Sequence, residues 1–186
     1  TVRRSILVDS KADVLVYGMG ELQIIELADA LDQGRFKESL PSIRGICYMS
    51  KEIPTIDCVA CPSFEDIKAD KMAFADAFRM QYDEQDPFYG RIVVQKHGDR
   101  YVVQNTPALP LTQEEMDGVY NLPYTRKWHP KYDDKGGVPA LSEVQFSLVS
   151  QRGCFGSCSF CAITNHQGRI IQNRSHESLI DEAQTM

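Results

Sequence analysis

The chain has 186 residues, 42% of them hydrophobic and 25% charged, so it can bury one sizeable core or two small ones and is not expected to be disordered. Its formal net charge is −6 at pH 7 and no basic stripe is present, so the sequence gives no electrostatic support for a nucleic-acid partner. No apolar run approaches the roughly 20 residues that cross a membrane, and the N-terminus lacks the apolar stretch of a signal peptide; we therefore expect a cytoplasmic protein.

The first predicted elements are a strand, a glycine turn and a helix. Asp13 to Tyr17 is typical of a buried strand, and Glu21 to Leu31 of an amphipathic helix that ends before Gly34. Between them, Gly18-Met-Gly20 predicts a tight turn, which is favoured over a dinucleotide site because that site needs a third glycine and a downstream acid. This order predicts one βα unit of a Rossmann-like sheet.

The middle of the chain predicts two further strands and a long helix. Gly45 to Met49 and Thr55 to Ala60 are short apolar runs that are typical of strands. A helix is predicted from its cap at Ser63 to about Tyr82. Its apolar face, formed by Ile67, Phe74, Ala77 and Phe78, is expected in the core together with Met72.

A β-hairpin is the next predicted element. Arg91 to His97 and Arg100 to Gln104 are rich in β-branched residues and are joined by Gly98-Asp99, a two-residue loop that suits a hairpin. His97 lies beside this turn. A solvated or locally hydrogen-bonded histidine is the favoured interpretation, and the alternative is that His97 faces the metal site predicted below.

The last third of the chain predicts a domain boundary. Thr112-Gln-Glu-Glu115 is a capping box that begins a short helix ending at Tyr120. Residues 121–140 are rich in Pro, Gly, Tyr and charge, so we predict a connector between a first domain over residues 1–120 and a second over residues 141–186. In the second domain, Val144 to Val149 predicts a buried strand and Ser175 caps a final helix.

The strongest chemical signal is a Cys-x3-Cys-x2-Cys loop formed by Cys154, Cys158 and Cys161, after that strand. Three thiolates in eight residues are typical of a metal site, yet they are one ligand short of a closed four-coordinate shell. Either another residue completes the shell or one position stays open. His166, five residues after Cys161, is the candidate fourth ligand of a zinc site.

The other three cysteines carry a weaker signal. Cys58 and Cys61 have the spacing of a redox or metal pair, but Pro62 follows at once and no second pair lies nearby. Incidental buried thiols are therefore favoured here, and also at Cys47. Six cysteines without a secretory signal argue for free thiols and metal ligands in a reducing compartment.

The segment Arg152-Gly-Cys-Phe-Gly-Ser-Cys-Ser-Phe-Cys161 resembles the cluster loop of the radical S-adenosylmethionine (SAM) superfamily. The flanking segments Val144 to Val149 and His166 to Ser175 resemble the YgiQ-type branch of that superfamily. The resemblance covers nearly the whole chain and extends to Thr1 to Asp13, Pro62 to Glu65, Lys96 to Tyr101, Leu122 to Arg126 and His129-Pro130.

The resemblance implies that Cys154, Cys158 and Cys161 hold a [4Fe–4S] cluster whose open iron is chelated by the amine and carboxylate of SAM. It also implies that Phe160 lies along the adenine and that Gly153 and Gly156 are backbone spacers. An electron from a donor such as a flavodoxin or ferredoxin would then cleave SAM reductively to methionine and a 5′-deoxyadenosyl radical. The resemblance names no substrate.

The implied fold is α/β: a partial Rossmann-like N-terminal domain followed by the first βα unit of a truncated, TIM-like radical SAM barrel. We therefore expect an internal fragment that does not turn over SAM in isolation. Arg152, Arg169 and Arg174 either offset the charge of the cluster or the SAM carboxylate, or are surface or ion-paired arginines.

Two alternatives remain open. A structural zinc module would use Cys154, Cys158, Cys161 and His166 as a Cys3His site for protein or nucleic-acid interaction. This alternative does not explain the strand before the loop, the Gly-Arg-Ile-Ile segment after it, or the acidic charge. A metal-free scaffold with free cysteines is the third interpretation.

Overall fold

The structure is a computed structural model that describes residues 2–186. Its helices are α1 (Ile6–Ser10), α2 (Glu21–Asp32), α3 (Phe36–Ser39), α4 (Phe64–Ala69), α5 (Lys71–Asp83), α6 (Gln113–Tyr120), α7 (Leu141–Val144), α8 (Ile163–Gln167) and α9 (His176–Thr185). Short 3-10 helices cover Leu40–Ser42 and Pro130–Lys135. None of the helices within residues 2–186 is long and apolar enough to cross a lipid bilayer.

The strands form one mixed sheet and one two-stranded ribbon. The strands are β1 (Val14–Val16), β2 (Ile46–Ser50), β3 (Cys58–Cys61), β4 (Ile92–His97), β5 (Arg100–Gln104), β6 (Gln151–Arg152) and β7 (Gln172–Asn173). The sheet has the order β1-β2-β5-β4-β3, in which β3 runs parallel to β4 and the other neighbouring strands are antiparallel. The ribbon pairs β6 with β7 antiparallel.

The α/β class is confirmed, but the sheet differs from the mostly parallel sheet of a Rossmann-like domain. After β1 and α2 the chain enters β2 antiparallel to β1, with Val14 opposite Tyr48. A parallel βαβ unit requires the connection to return the chain to the same end of the sheet. Because the connection through α2 and α3 does not do so, the Rossmann-like detail is not confirmed.

The glycine turn between β1 and α2 has a structural explanation. Gly18 has a φ of +72°, a left-handed conformation that glycine adopts without strain. A Cβ placed on Gly20 would lie 2.3 Å from Cγ1 of Val16, which is closer than two carbon atoms can approach. Both glycines are therefore explained by the tight turn that we predicted.

The sheet carries a hydrophobic cluster on each face. Val93 and Val94 are consecutive in β4, so their side chains point to opposite faces. The cluster around Val94 comprises Leu27, Leu40, Ile43, Ile46, Tyr48, Ile92, Val94 and Val103. The cluster around Val93 comprises Cys61, Ile67, Ala77 and Val93. Helix α2 and the Leu40–Ser42 turn thus cover one face, and α4 and α5 cover the other.

The chain divides into two compact units. The first extends to Pro110 and also includes Cys154–Arg169; the second comprises Leu111–Gly153 and Ile170–Met186. The first unit holds the five-stranded sheet and α8, and the second holds α6, α7, α9 and the ribbon. The three candidate cysteine ligands therefore belong to the same unit as the sheet.

Several locally encoded elements match their predictions. Helix α2 and the β4–β5 hairpin occur where the sequence places them. The capping box of α6 is formed, since Thr112 Oγ1 accepts from the Glu115 amide at 3.2 Å and the Glu115 carboxylate accepts from the Thr112 amide at 2.8 Å. Ser175 Oγ caps α9 by accepting from the Ser178 amide at 3.0 Å.

The long helix predicted from Ser63 to Tyr82 is broken. Asp70 has extended φ and ψ angles of −128° and 126°, and its carboxylate accepts from the Met72 amide at 2.9 Å, so α4 ends and α5 begins there. The predicted core face is confirmed for Ile67 and Ala77, which are buried, and is wrong for Met72, Phe74 and Phe78, which are 68%, 47% and 57% exposed. In α5 the small Ala77 is buried in the cluster around Val93.

The buried strand predicted over Val144 to Val149 is also wrong. Val144 ends α7, and the residues after it are exposed and belong to no strand. An extended segment is stable as a strand only when a neighbour pairs its backbone N–H and C=O groups. Within residues 2–186, pairing in this region is limited to β6 and β7, and the finer prediction of a barrel βα unit is not confirmed.

Candidate metal centre

The cysteine loop is held at its two ends by backbone hydrogen bonds. The Cys154 amide donates to the carbonyl of Gly168 at 3.1 Å, which ties the start of the loop to the segment after α8. The Cys161 amide donates to the carbonyl of Cys158 at 3.0 Å and closes a turn that contains Phe160. The loop between these bonds lacks regular secondary structure, so its side chains are positioned by turns.

The three loop thiols are free and accessible to different degrees. Cys158 is exposed, whereas Cys154 and Cys161 are half-buried. By contrast, Cys47 lies in the sheet, and its burial raises the pKa of its thiol to about 12. The exposed thiol is therefore that of Cys158 in the loop, and Cys154 and Cys161 share the half-buried state of Cys58 in β3.

Gly156 leaves space between two of these thiols. A Cβ placed on Gly156 would lie 3.4 Å from Cys154 Sγ and 3.9 Å from Cys158 Sγ. Both sulfurs therefore lie beside the same bare face of the glycine. A larger side chain at this position would occupy the space that a bulky inorganic group between the two sulfurs requires.

The thiols do not yet converge on one point. Across residues 2–186, no group of three or more His, Cys, Asp or Glu side chains has an arrangement that could hold a metal ion. The donor set nevertheless fits an iron–sulfur cluster, because three soft sulfur ligands lie within eight residues and are free of disulfides. Of the three, Cys158 is the exposed thiol, so its side chain is the least confined by packing.

The other predicted residues of the site occupy distinct positions. Phe160 is 91% exposed on the closing turn of the loop, and its ring is accessible to a ligand. Gly153 has a φ of +85°, so the backbone at the start of the loop requires a glycine-like conformation. His166 lies on α8 and is exposed, and the structure does not bring it together with the three thiols as a Cys3His set within the described residues.

Arg169 is the predicted arginine that contacts the cysteine loop. Its Nη1 donates to Ser157 Oγ at 2.8 Å, between Cys154 and Cys158 in the sequence. Its guanidinium also donates to the hydroxyl of Tyr82 and lies 4.9 Å from the centre of the Tyr82 ring. No sequence pattern pointed to Tyr82, because its contact with Arg169 joins residues 87 positions apart.

Arg174 and Arg152 belong to the second compact unit. Arg174 forms an ion pair with Glu182 and donates from Nη2 to Ser178 Oγ at 2.8 Å, so the ion-paired interpretation is correct for it. Its guanidinium and that of Arg152 lie 4.2 and 5.3 Å from the Tyr120 ring centre, respectively. These contacts explain both arginines as structural groups of that unit.

His97 is a buried, locally bonded histidine. It is 7% exposed and its ring stacks on Phe64 at a centroid distance of 5.3 Å. Its Nε2 lies 3.2 Å from Gln95 Oε1, and burial lowers its pKa. The locally hydrogen-bonded interpretation is supported, with burial in place of solvation.

Cys58 and Cys61 do not form a pair. They lie at the two ends of β3, three positions apart, so their side chains point to opposite faces of the sheet. Cys58 packs against the Val94 cluster and Cys61 belongs to the Val93 cluster. This geometry supports the interpretation that they are packing residues.

Residues 1–147 match the family model described as Radical SAM N-terminal. A UPF0313 protein of Clostridium botulinum (strain ATCC 19397 / Type A) is 53% identical over 187 aligned residues, which cover 100% of this chain and 29% of that protein. A UPF0313 protein of Clostridium perfringens (strain SM101 / Type A) is 53% identical over 185 residues, which cover 98% of this chain and 28% of that protein. The chain thus spans less than a third of the length of these relatives. No solved structure matches the chain.

Proposed function

Because the chain belongs to the radical SAM N-terminal family, we propose that it is part of a YgiQ-type radical SAM enzyme and that Cys154, Cys158 and Cys161 hold a [4Fe–4S] cluster. The observation that carries this proposal is the position of three free thiols in one loop of a chain that matches this family. Three cysteine ligands leave one iron without a protein ligand, which is the position that SAM takes in the superfamily.

The remaining site residues have roles that follow from their positions. Gly156 leaves the space beside the sulfurs of Cys154 and Cys158 free. Gly153 allows the positive φ that the backbone adopts directly before Cys154. Phe160 offers an exposed ring for the adenine of SAM. When bound, the cluster would supply the electron that cleaves SAM, and the protein would hold SAM and exclude water from it.

Organisation and partners follow from the same proposal. Residues 1–120 would form part of the N-terminal domain, 121–140 the connector and 141–186 the start of the radical SAM core. The partners would be SAM, an electron donor such as a flavodoxin or ferredoxin, and a substrate that the chain does not identify. A reducing, cytoplasmic compartment suits six cysteines that are all free within the described residues.

The zinc module is not favoured. Its Cys3His set requires His166 to join the three thiols, and the structure leaves His166 exposed on α8. The family match also provides an explanation for the whole segment up to residue 147, which a small zinc module does not.

Metal analysis of the anaerobically reconstituted chain tests the proposal. We expect about four irons and about four sulfides per chain, and a loss of most of this iron in Cys158→Ala, because that variant removes one cluster ligand. Cys58→Ala is the matched control, since it removes a half-buried thiol outside the loop, and it should keep its iron. One tightly bound zinc per chain that His166→Ala weakens, or equal iron in both cysteine variants, would contradict the proposal.

A further inference from the structure

The C-terminal end of α5 contacts the segment that follows the cysteine loop in the same compact unit. Tyr82, in the last turn of α5, accepts a hydrogen bond from Arg169. Gln85, two residues beyond the helix, donates from Nε2 to Asn165 Oδ1 at 2.9 Å. Asn165 and Arg169, which both follow the three cysteines, are thus hydrogen-bonded to residues at the C-terminal end of α5.

A third contact comes from the glycine turn before α2. A Cβ placed on Gly18 would lie 3.5 Å from the carbonyl oxygen of His166, so the backbone of α8 lies directly over this turn. Segment Cys154–Arg169 is accordingly part of the compact unit that contains the sheet. Within this unit, the segment therefore contacts the N-terminal part of the chain at two places, α5 and the β1–α2 turn.

Arg169 extends this contact into the cysteine loop, at Ser157. Its planar guanidinium uses one edge for Tyr82 and donates to Ser157 at 2.8 Å with the other nitrogen. Ser157 precedes Cys158 directly, so a side chain that fixes Ser157 restricts the backbone between the first two thiols. We call the set Tyr82, Ser157 and Arg169 the arginine clamp.

We propose that α5 and the β1–α2 turn support the cysteine loop, and that the arginine clamp positions the cysteines and adds a positive charge to their loop. The electrostatic part rests on the proposed function, whereas the positioning part holds for the metal-free chain as well. A cluster becomes more negative when it is reduced, so a guanidinium bonded to its loop stabilises the reduced state and raises the reduction potential. This gives the radical SAM N-terminal domain a role at the cluster, through Tyr82 of α5.

Hydrogen exchange of the metal-free chain tests the positioning part. In Arg169→Gln, the hydrogen-bonded amides of Cys154 and Cys161 should exchange about fivefold faster, the loss expected for about 1 kcal/mol of hydrogen bonding. Tyr82→Phe should show part of this effect, because it keeps the ring and removes the hydroxyl. Arg79→Gln is the control for charge, since Arg79 lies on the same helix and pairs with Asp76 at 3.3 Å. Loop exchange that is equal in Arg169→Gln and in the unsubstituted chain would overturn the proposal.

The reduction potential of the reconstituted chain tests the electrostatic part. Arg169→Gln should lower the potential, Arg169→Lys should restore most of it, and Arg79→Gln should leave it unchanged. An unchanged potential in Arg169→Gln, with iron content intact, would overturn this part. If the unsubstituted chain took up no iron while loop exchange still responded to Arg169→Gln, the positioning part would stand and the cluster assignment would fail, so the two failures are distinguishable.

Discussion

Glu84 shows how a single buried charge is held in the sheet unit. Glu84 is 7% exposed. Its carboxylate accepts hydrogen bonds from the Arg91 backbone amide at 2.7 Å and from Arg91 Nε at 3.0 Å. These hydrogen bonds lower the pKa of Glu84, although burial acts in the opposite direction. Arg91 directly precedes β4, so Glu84 joins the end of α5 to the start of the β4–β5 hairpin.

Glu84→Gln should reduce the free energy of unfolding by about 1–2 kcal/mol near pH 7, because the ionic hydrogen bonds to Arg91 are lost. The folded-state pKa of Glu84 is lowered, so its contribution is present above the unfolded pKa of about 4.3 and is lost as the pH falls through the folded value. Urea unfolding at several pH values should therefore show a difference that shrinks below about pH 4. Asp76→Asn, in an exposed ion pair, is the control and should cost less than about 1 kcal/mol. A difference between Glu84→Gln and the unsubstituted chain that grows toward acid pH would contradict this account.

Among the helices, a start marked by a capping box was predicted correctly, whereas the break between α4 and α5 was not predicted. The capping box at Thr112 and Glu115 lies within four residues, so the sequence predicted α6 correctly. The break at Asp70 has no comparable signal, because Asp also occurs inside helices and the choice depends on how α4 and α5 pack on the sheet. Met72 and Phe78, which the sequence predicted in the core, are exposed on α5.

Asp70→Ala should destabilise the chain by about 1 kcal/mol, because the Met72 amide at the start of α5 loses its cap. Asp70→Asn is the matched control, since asparagine caps helices about as well as aspartate, and it should stay close to the unsubstituted chain. Urea unfolding followed by circular dichroism measures both. If alanine were as stable as asparagine here, α4 and α5 would behave as one continuous helix and the break would be wrong.

Across the whole molecule, contacts distant in sequence decided what could be predicted. The α/β class and the β4–β5 hairpin follow from patterns that span a few residues, whereas the strand order β1-β2-β5-β4-β3 depends on pairings that no local pattern contains. The strand prediction for Val144 to Val149 was wrong for the same reason, since an apolar run predicts burial but does not identify a partner strand.

The candidate site divides in the same way. The spacing of Cys154, Cys158 and Cys161 was visible in the sequence, and the free thiols of the structure agree with a ligand role. The contact between Arg169 and Tyr82 was invisible, because it joins the last turn of a helix to a residue beyond the loop. The spacing of the cysteines could therefore be recognised in the sequence, whereas the residues that hold their loop became visible only in the structure.

The most direct test of the cluster assignment is the electron paramagnetic resonance spectrum of the reduced, reconstituted chain, measured with and without SAM. An iron without a protein ligand can be chelated by the amine and carboxylate of SAM, so we expect about one reduced [4Fe–4S] cluster per chain with a spectrum that SAM changes. Cys158→Ala should give little or no such signal. A cluster spectrum that SAM leaves unchanged, or a chain that holds zinc and gives no signal, would contradict the assignment of a radical SAM centre to this loop.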